Sequence, residues 1–125
     1  MIISVKSVGI NVGDQDRAKE FWTQVIGFEL LGDTPMGENG GPRWIEIAPP
    51  DKRVVLVLFT PDVHKDRIGT FSNIVFECDD LQAAYEQLSA KGVEFPDPPR
   101  HEPWGWWATF KDPDGNTYGL SLRSE

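Results

Sequence analysis

The sequence predicts an α+β fold made of two βαβββ modules whose strands form a curved mixed sheet. Three observations carry this. The order strand, helix, strand, strand, strand occurs twice in 125 residues. Asp14 and Asp80, each placed to cap a helix, are 66 positions apart, as are Ala18 and Ala84. Gly27 and Gly92, each placed to end that helix, are 65 apart, as are Glu29 and Glu94, so one deletion in the second helix explains the slip. A repeat that agrees in pattern, capping and spacing outweighs any single motif. Two such units can set their helices on the convex side of the sheet and leave a concave side open. The expected organisation is a single domain over residues 1–125, with modules at about 1–60 and 70–125 and a linker at about 61–69.

In the first module, residues 2–12 are expected to form a strand, with Val8, Ile10 and Val12 on one face and Ser7, Gly9 and Asn11 on the other. Asp14 can accept hydrogen bonds from the first free amides of a helix. Ala18, Phe21, Trp22, Val25 and Ile26 then make one apolar helical stripe. Gly27 suits the left-handed residue that closes a helix. Residues 28–31 resume as a strand, and residues 32–42, with four Gly and two Pro, are expected to be a loop. Residues 43–48 and 53–59 are strands around a Pro49-Pro50-Asp51 turn.

The polar stretch 60–69 separates the halves. Residues 71–78 are the next strand, and Leu81, Ala84, Tyr85 and Leu88 are the stripe of the second helix, which ends at Lys91-Gly92. A short strand at 93–95 and a proline-rich loop at 96–103 follow. Strands at 106–111 and 117–122 flank Asp112-Pro113-Asp114-Gly115-Asn116, which is read as a turn.

Composition narrows the function classes. The formal net charge is −8, which repels phosphate backbones and argues against nucleic-acid binding. The same charge could favour a cationic ligand or simply keep the protein soluble. No apolar run is long enough for a membrane span, and the N-terminus lacks a signal-peptide pattern. Cys78 is the only cysteine, so no intrachain disulfide can form and a cytoplasmic location is expected.

The segment Val8-Gly9-Ile10-Asn11-Val12-Gly13-Asp14, through Phe21-Trp22 to Val25-Ile26-Gly27-Phe28-Glu29-Leu30, resembles the first module of the vicinal-oxygen-chelate superfamily of glyoxalases, bleomycin-resistance proteins and dioxygenases. The stretch from Pro103-Trp104-Gly105 to Phe110-Lys111-Asp112-Pro113-Asp114-Gly115-Asn116 resembles its close. The resemblance spans nearly the whole chain. It implies eight strands curling into a cup, and commonly a homodimer. Metal-using members carry His, Gln or Glu at four positions that fall here on Ser7, a residue near Val57, Asn73 and Gly119. Val57 and Gly119 have no side-chain donor, and Ser7 and Asn73 are neutral and weak, so neither a metal nor another cofactor is expected.

Strand alternation supplies the expected ligand-binding residues. Ser7, Gly9 and Asn11 face the cup, and the repeat matches them with Asn73, Val75 and Glu77. Val55, Val57 and Phe59 match Thr117, Gly119 and Ser121. Glu77 is a candidate base if buried, or else a rim residue paired with an arginine such as Arg43. His101, in the expected loop, is a second candidate acid or base, and His64 lies in the linker. Trp44 and Glu46 share a face whose direction parity leaves open. One of Trp106 and Trp107 must face the cup. Trp104 sits at its expected mouth, and Trp22 belongs to the core. Indole faces bind flat or cationic groups. The expected function is metal-free binding of a small organic ligand, aromatic or cationic. The alternatives are a metal-independent lyase or isomerase acting on a carbonyl compound and, third, a metal-dependent lyase or dioxygenase.

Overall fold

The computed structural model describes residues 1–37 and 41–123. The chain divides into two compact units, Met1–Ile68 and Gly69–Glu125, with the break inside the expected linker. Both have the same architecture. The first contains β1 (Ser7–Asn11), α1 (Gln15–Glu20, continued by π-helical turns over Phe21–Val25), β2 (Glu29–Pro35), β3 (Arg43–Ala48) and β4 (Val55–Phe59). The second contains β5 (Phe71–Cys78), α2 (Leu81–Ala90), β6 (Arg100–Glu102), β7 (Gly105–Lys111) and β8 (Thr117–Leu122). The four-stranded sheets have equivalent orders, β1-β4-β3-β2 and β5-β8-β7-β6. In each, the first strand runs parallel to the last and the other pairs are antiparallel. This is an α+β fold.

Both expected caps form. Asp14 accepts from the Arg17 amide and Asp80 from the Ala83 amide, each at 3.0 Å. Gly27 and Gly92 end the helices at φ +92° and +93°, a region that disfavours a Cβ. The π-helical turns follow from the Ile26 amide bonding to the Phe21 carbonyl at 2.9 Å. Trp22, within these turns, is fully buried, stacked on Phe28 and edge-on to Phe21. In the second unit Tyr85 of α2 meets Phe95, and Phe95, Phe110, Tyr118 and Phe76 continue one aromatic core.

Four expectations are corrected. The first strand starts at Ser7 rather than residue 2, because its partner β4 starts at Val55, opposite Ser7; Met1, Ile2, Ile3 and Val5 are exposed. The stretch expected as a loop from residue 32 is strand up to Pro35, paired with Arg43 through Glu46 after a bulge at Leu31; residues 38–40 of that stretch lie outside the described residues. The strand at 93–95 is only a bridge between Glu94 and Lys111. Residues 100–102, expected as loop, form edge strand β6, so His101 lies in a strand. Gly and Pro hid β2 and β6 because edge strands tolerate both where no ladder bond is needed.

Asp33 on β2 fastens its edge to α1 and β3. It bonds Lys19 Nζ at 2.8 Å and Arg43 Nε at 3.0 Å, while Arg43 also reaches Asp16 at 2.6 Å. The Lys19 hydrogen bond, aided by Arg43 and opposed by burial, holds the Asp33 carboxyl below its usual 3.8. A lowered folded value stabilises above the unfolded value and loses that stability as pH falls through the folded one. Asp33→Asn is therefore expected to cost about 1 kcal/mol at neutral pH and to flatten the acid limb below about pH 4, read from urea midpoints against pH.

Candidate functional site

Each sheet has a face turned to its helix and a face turned away. The helix-side faces carry buried Ile10, Ile45, Ile47, Leu56 and Leu58 in the first unit, and buried Ala108, Phe110, Tyr118 and Leu120 in the second. Register settles the rest, because directly paired residues point the same way. Glu46 pairs with Val57, and Val57 with Gly9, so Trp44 and Glu46 share the open face with Ser7, Asn11 and Phe59. Trp107 pairs with Ser121, and Thr109 with Gly119, so Trp107 is on the open face with Asn73, Val75 and Glu77. Trp106 is on the other side.

The structure thus brings together most of the expected residues as two sets, one per unit, and leaves Trp106 out. Trp106 lines a cleft of about 310 Å³ on the α2 side, with Asp79, Asp80, Pro99 and Leu122. Exposed His101 meets Trp106 edge-on at 5.3 Å between ring centres. Glu77 is 60% exposed and lies 3.7 Å from Arg123, not Arg43, so the burial that would make it a base is lacking. His64 is exposed in the connector at φ +63°.

Two glycines on the open faces act as seats for rings, which the sequence reading did not foresee. The Phe59 ring comes within 3.0 Å of where a Cβ on Gly9 would stand. On β8 the approach is closer still. The three atoms nearest a Cβ on Gly119 all belong to the Trp107 indole: Cη2, then Cζ2 at 2.8 Å and Cζ3 at 3.0 Å. Trp104 stands edge-on to Trp107 at 5.8 Å and is 64% exposed. The available signal was glycine in a strand interior, which often marks close approach of another group.

Asn73 adds an irregularity. Four residue steps along β5, from Phe71 to Val75, are set against two along β8, from Thr117 to Gly119, and Asn73 takes φ +64° within that bulge. Alternation survives, so Asn73 remains exposed between half-buried Ser72 and Ile74. Bulges re-aim side chains next to sites.

The chain belongs to the Glyoxalase/Bleomycin resistance protein/Dioxygenase superfamily, whose family model matches residues 4–120. It is 38% identical over 120 residues to the uncharacterized protein YetH of Bacillus subtilis, covering 96% of this chain and 98% of that one. Among solved structures, TnmS3, an antibiotic binding protein from Streptomyces sp. CB03234, is 35% identical with a TM-score of 0.84, and 98% of each chain is covered. A superfamily member from Sphaerobacter thermophilus is 33% identical with a TM-score of 0.88 and the same coverage.

The four positions at which metal-using members of this superfamily would carry ligands do not fit a divalent metal here. Ser7, Val57, Asn73 and Gly119 provide no imidazole or carboxylate, and the Trp107 ring fills the space a side chain at 119 would need. Among the described residues, no group of three His, Cys, Asp or Glu side chains is placed to hold an ion. No helix among them is long and apolar enough to cross a membrane.

Proposed function

We propose that this protein binds a small planar organic compound, aromatic and preferably cationic, on its open sheet faces without a metal. The observation that carries the reading is the Trp107 indole seated over Gly119, with exposed Trp104 against it. Planar π-systems stack on such rings, and cations are drawn to their faces. The net charge of −8 supports the preference for a cation, and the likeness to TnmS3, an antibiotic binding protein, supports a sequestering role. The ligand-contacting residues proposed are Ser7, Asn11, Trp44, Glu46, Val57, Phe59, Asn73, Glu77, Trp104 and Trp107; Trp106 belongs to the α2-side cleft. The proposed working form is a homodimer in the cytoplasm. Exposed Phe71 and Val75 on the open face support the first, and the single half-buried Cys78 supports the second.

Titration calorimetry with planar cations tests this. The expected result is saturable binding of 9-aminoacridine, unchanged by EDTA, and much weaker binding of cyclohexylmethylammonium, which has the same charge but no flat ring. Equal affinity for both, or loss of binding with EDTA, contradicts the reading.

A further inference from the structure

The two units carry the same residue at one position in two different settings. Trp44 stands two residues before Glu46, which pairs with Val57 on β4. Trp107 stands two residues before Thr109, which pairs with Gly119 on β8. Val57 and Gly119 are themselves equivalent, being partners of Gly9 on β1 and Val75 on β5. Trp44 and Trp107 are thus the same residue of the repeat. Diagonal to a valine on the next strand, Trp44 is 41% exposed. Diagonal to a glycine, Trp107 brings its benzo ring over the partner strand, into space that any Cβ would take. Gly119 does not have a positive φ, so its backbone would accept another residue and the indole is the obstacle.

We infer that Gly119 is a specificity-determining residue: lacking a side chain, it seats the Trp107 indole over β8, where Trp107 and Trp104 form the surface on which a planar ring system stacks. This rests on the proposed function and adds the feature that selects for flatness. The hydroxyls of Thr109 and Ser121, which pair with Gly119 and Trp107, flank the platform and suit polar substituents at the ring's edge. Val57, at the equivalent place in the first unit, gives Trp44 no such seat, so the two open faces are not interchangeable. An aromatic ring over a strand glycine also adds stability, and affinity and stability separate that contribution from the binding role.

The test combines affinity for 9-aminoacridine with ¹⁹F NMR of 5-fluorotryptophan-labelled protein. A methyl at 119 must push the indole aside. Gly119→Ala is expected to weaken 9-aminoacridine binding at least about tenfold and to shift the Trp107 and Trp104 resonances but not those of Trp22 and Trp44. It is also expected to lower Tm by about 5–10 °C, the usual scale of overpacking in a domain of this size. In a Trp107→Ala background the same methyl should cost almost nothing, because the ring it displaces is gone. Should Gly119→Ala prove too unstable to titrate, Trp107→Ala and the double variant decide: both are expected to bind at least about tenfold more weakly than the wild type and equally to each other. Wild-type affinity in Gly119→Ala, or in Trp107→Ala, overturns the inference and leaves the proposed function standing on other contacts. An equal cost of the methyl with and without Trp107 overturns the seat itself. If the wild type binds no planar probe, the proposed function fails and the platform's binding role fails with it, while the methyl's cost still reports the packing.

Discussion

Replacing Asp112 by alanine is expected to destabilise the protein by about 3–5 kcal/mol, a large share of the 5–15 kcal/mol typical of a folded domain. The reason is the number of donors it serves. Asp112 Oδ1 accepts from the backbone amides of Asp114 and Asn116, both at 2.9 Å. Its Oδ2 accepts from Asn116 Nδ2 at 2.8 Å and from the Tyr118 hydroxyl at 2.7 Å. Asp112, Asn116 and Tyr118 are all buried, so the lost acceptor is not replaced by bulk water. Burial pushes the Asp112 carboxyl above its usual range while the bonds from Tyr118 and Asn116 pull it down. Asn116 in turn accepts the Gly69 amide at 2.7 Å, and the Thr117 amide bonds the Thr70 carbonyl at 3.1 Å. Asp112 thus fixes where β8 starts, and with it the height of Gly119 against Trp107. Asp112→Asn keeps the Oδ1 acceptor and is expected to cost about 1–2 kcal/mol. Urea unfolding of the two variants checks both values. A cost below about 1 kcal/mol for alanine would show that the turn does not depend on this carboxylate.

The second large effect is on binding. Trp107→Ala is expected to weaken 9-aminoacridine binding by about 1.4–2.8 kcal/mol, or roughly tenfold to a hundredfold, within the range found when a stacking ring is truncated. Trp106→Ala is the control, since that indole is on the α2 side and lines the cleft with Asp79 and Asp80. It should leave the affinity within about twofold of the wild type. The reverse order of effects would move the site to the cleft, where an exposed indole beside two acidic residues could also hold a cation.

The sequence made the two-module plan legible because its strongest signals are local. Asp14 and Asp80 cap as expected, Gly27 and Gly92 end their helices at positive φ, and β3 and β5 have the expected bounds. Edge strands were hidden. In β2, Gly32, Asp33 and Pro35 look like loop residues, and the strand persists because they pair with Arg43 through Glu46 and Asp33 is tied to Lys19 and Arg43. In β6, prolines on both sides masked a three-residue strand. In β3 and β7, alternation divided the strand into two faces without saying which was open. Trp44 against Ile45, and Trp106 against Trp107, therefore needed the pairing to Val57 and Ser121. Gly119 was visible as a position without a donor. Its service as a seat depends on the reach of an indole from the neighbouring strand, which no pattern within β8 contains. For Glu77 the sequence left a buried base and an arginine-paired rim residue both open, and its exposure beside Arg123 agrees with the second.

The most direct measurement is a ¹⁵N-correlation titration with 9-aminoacridine that follows the indole N–H signals of the five tryptophans. The account predicts that the Trp104 and Trp107 signals move together with the amides of Thr109, Gly119 and Ser121, while Trp22 stays in place. Shifts confined to Trp106, Asp79 and Asp80, or no shifts at saturating probe, would contradict it.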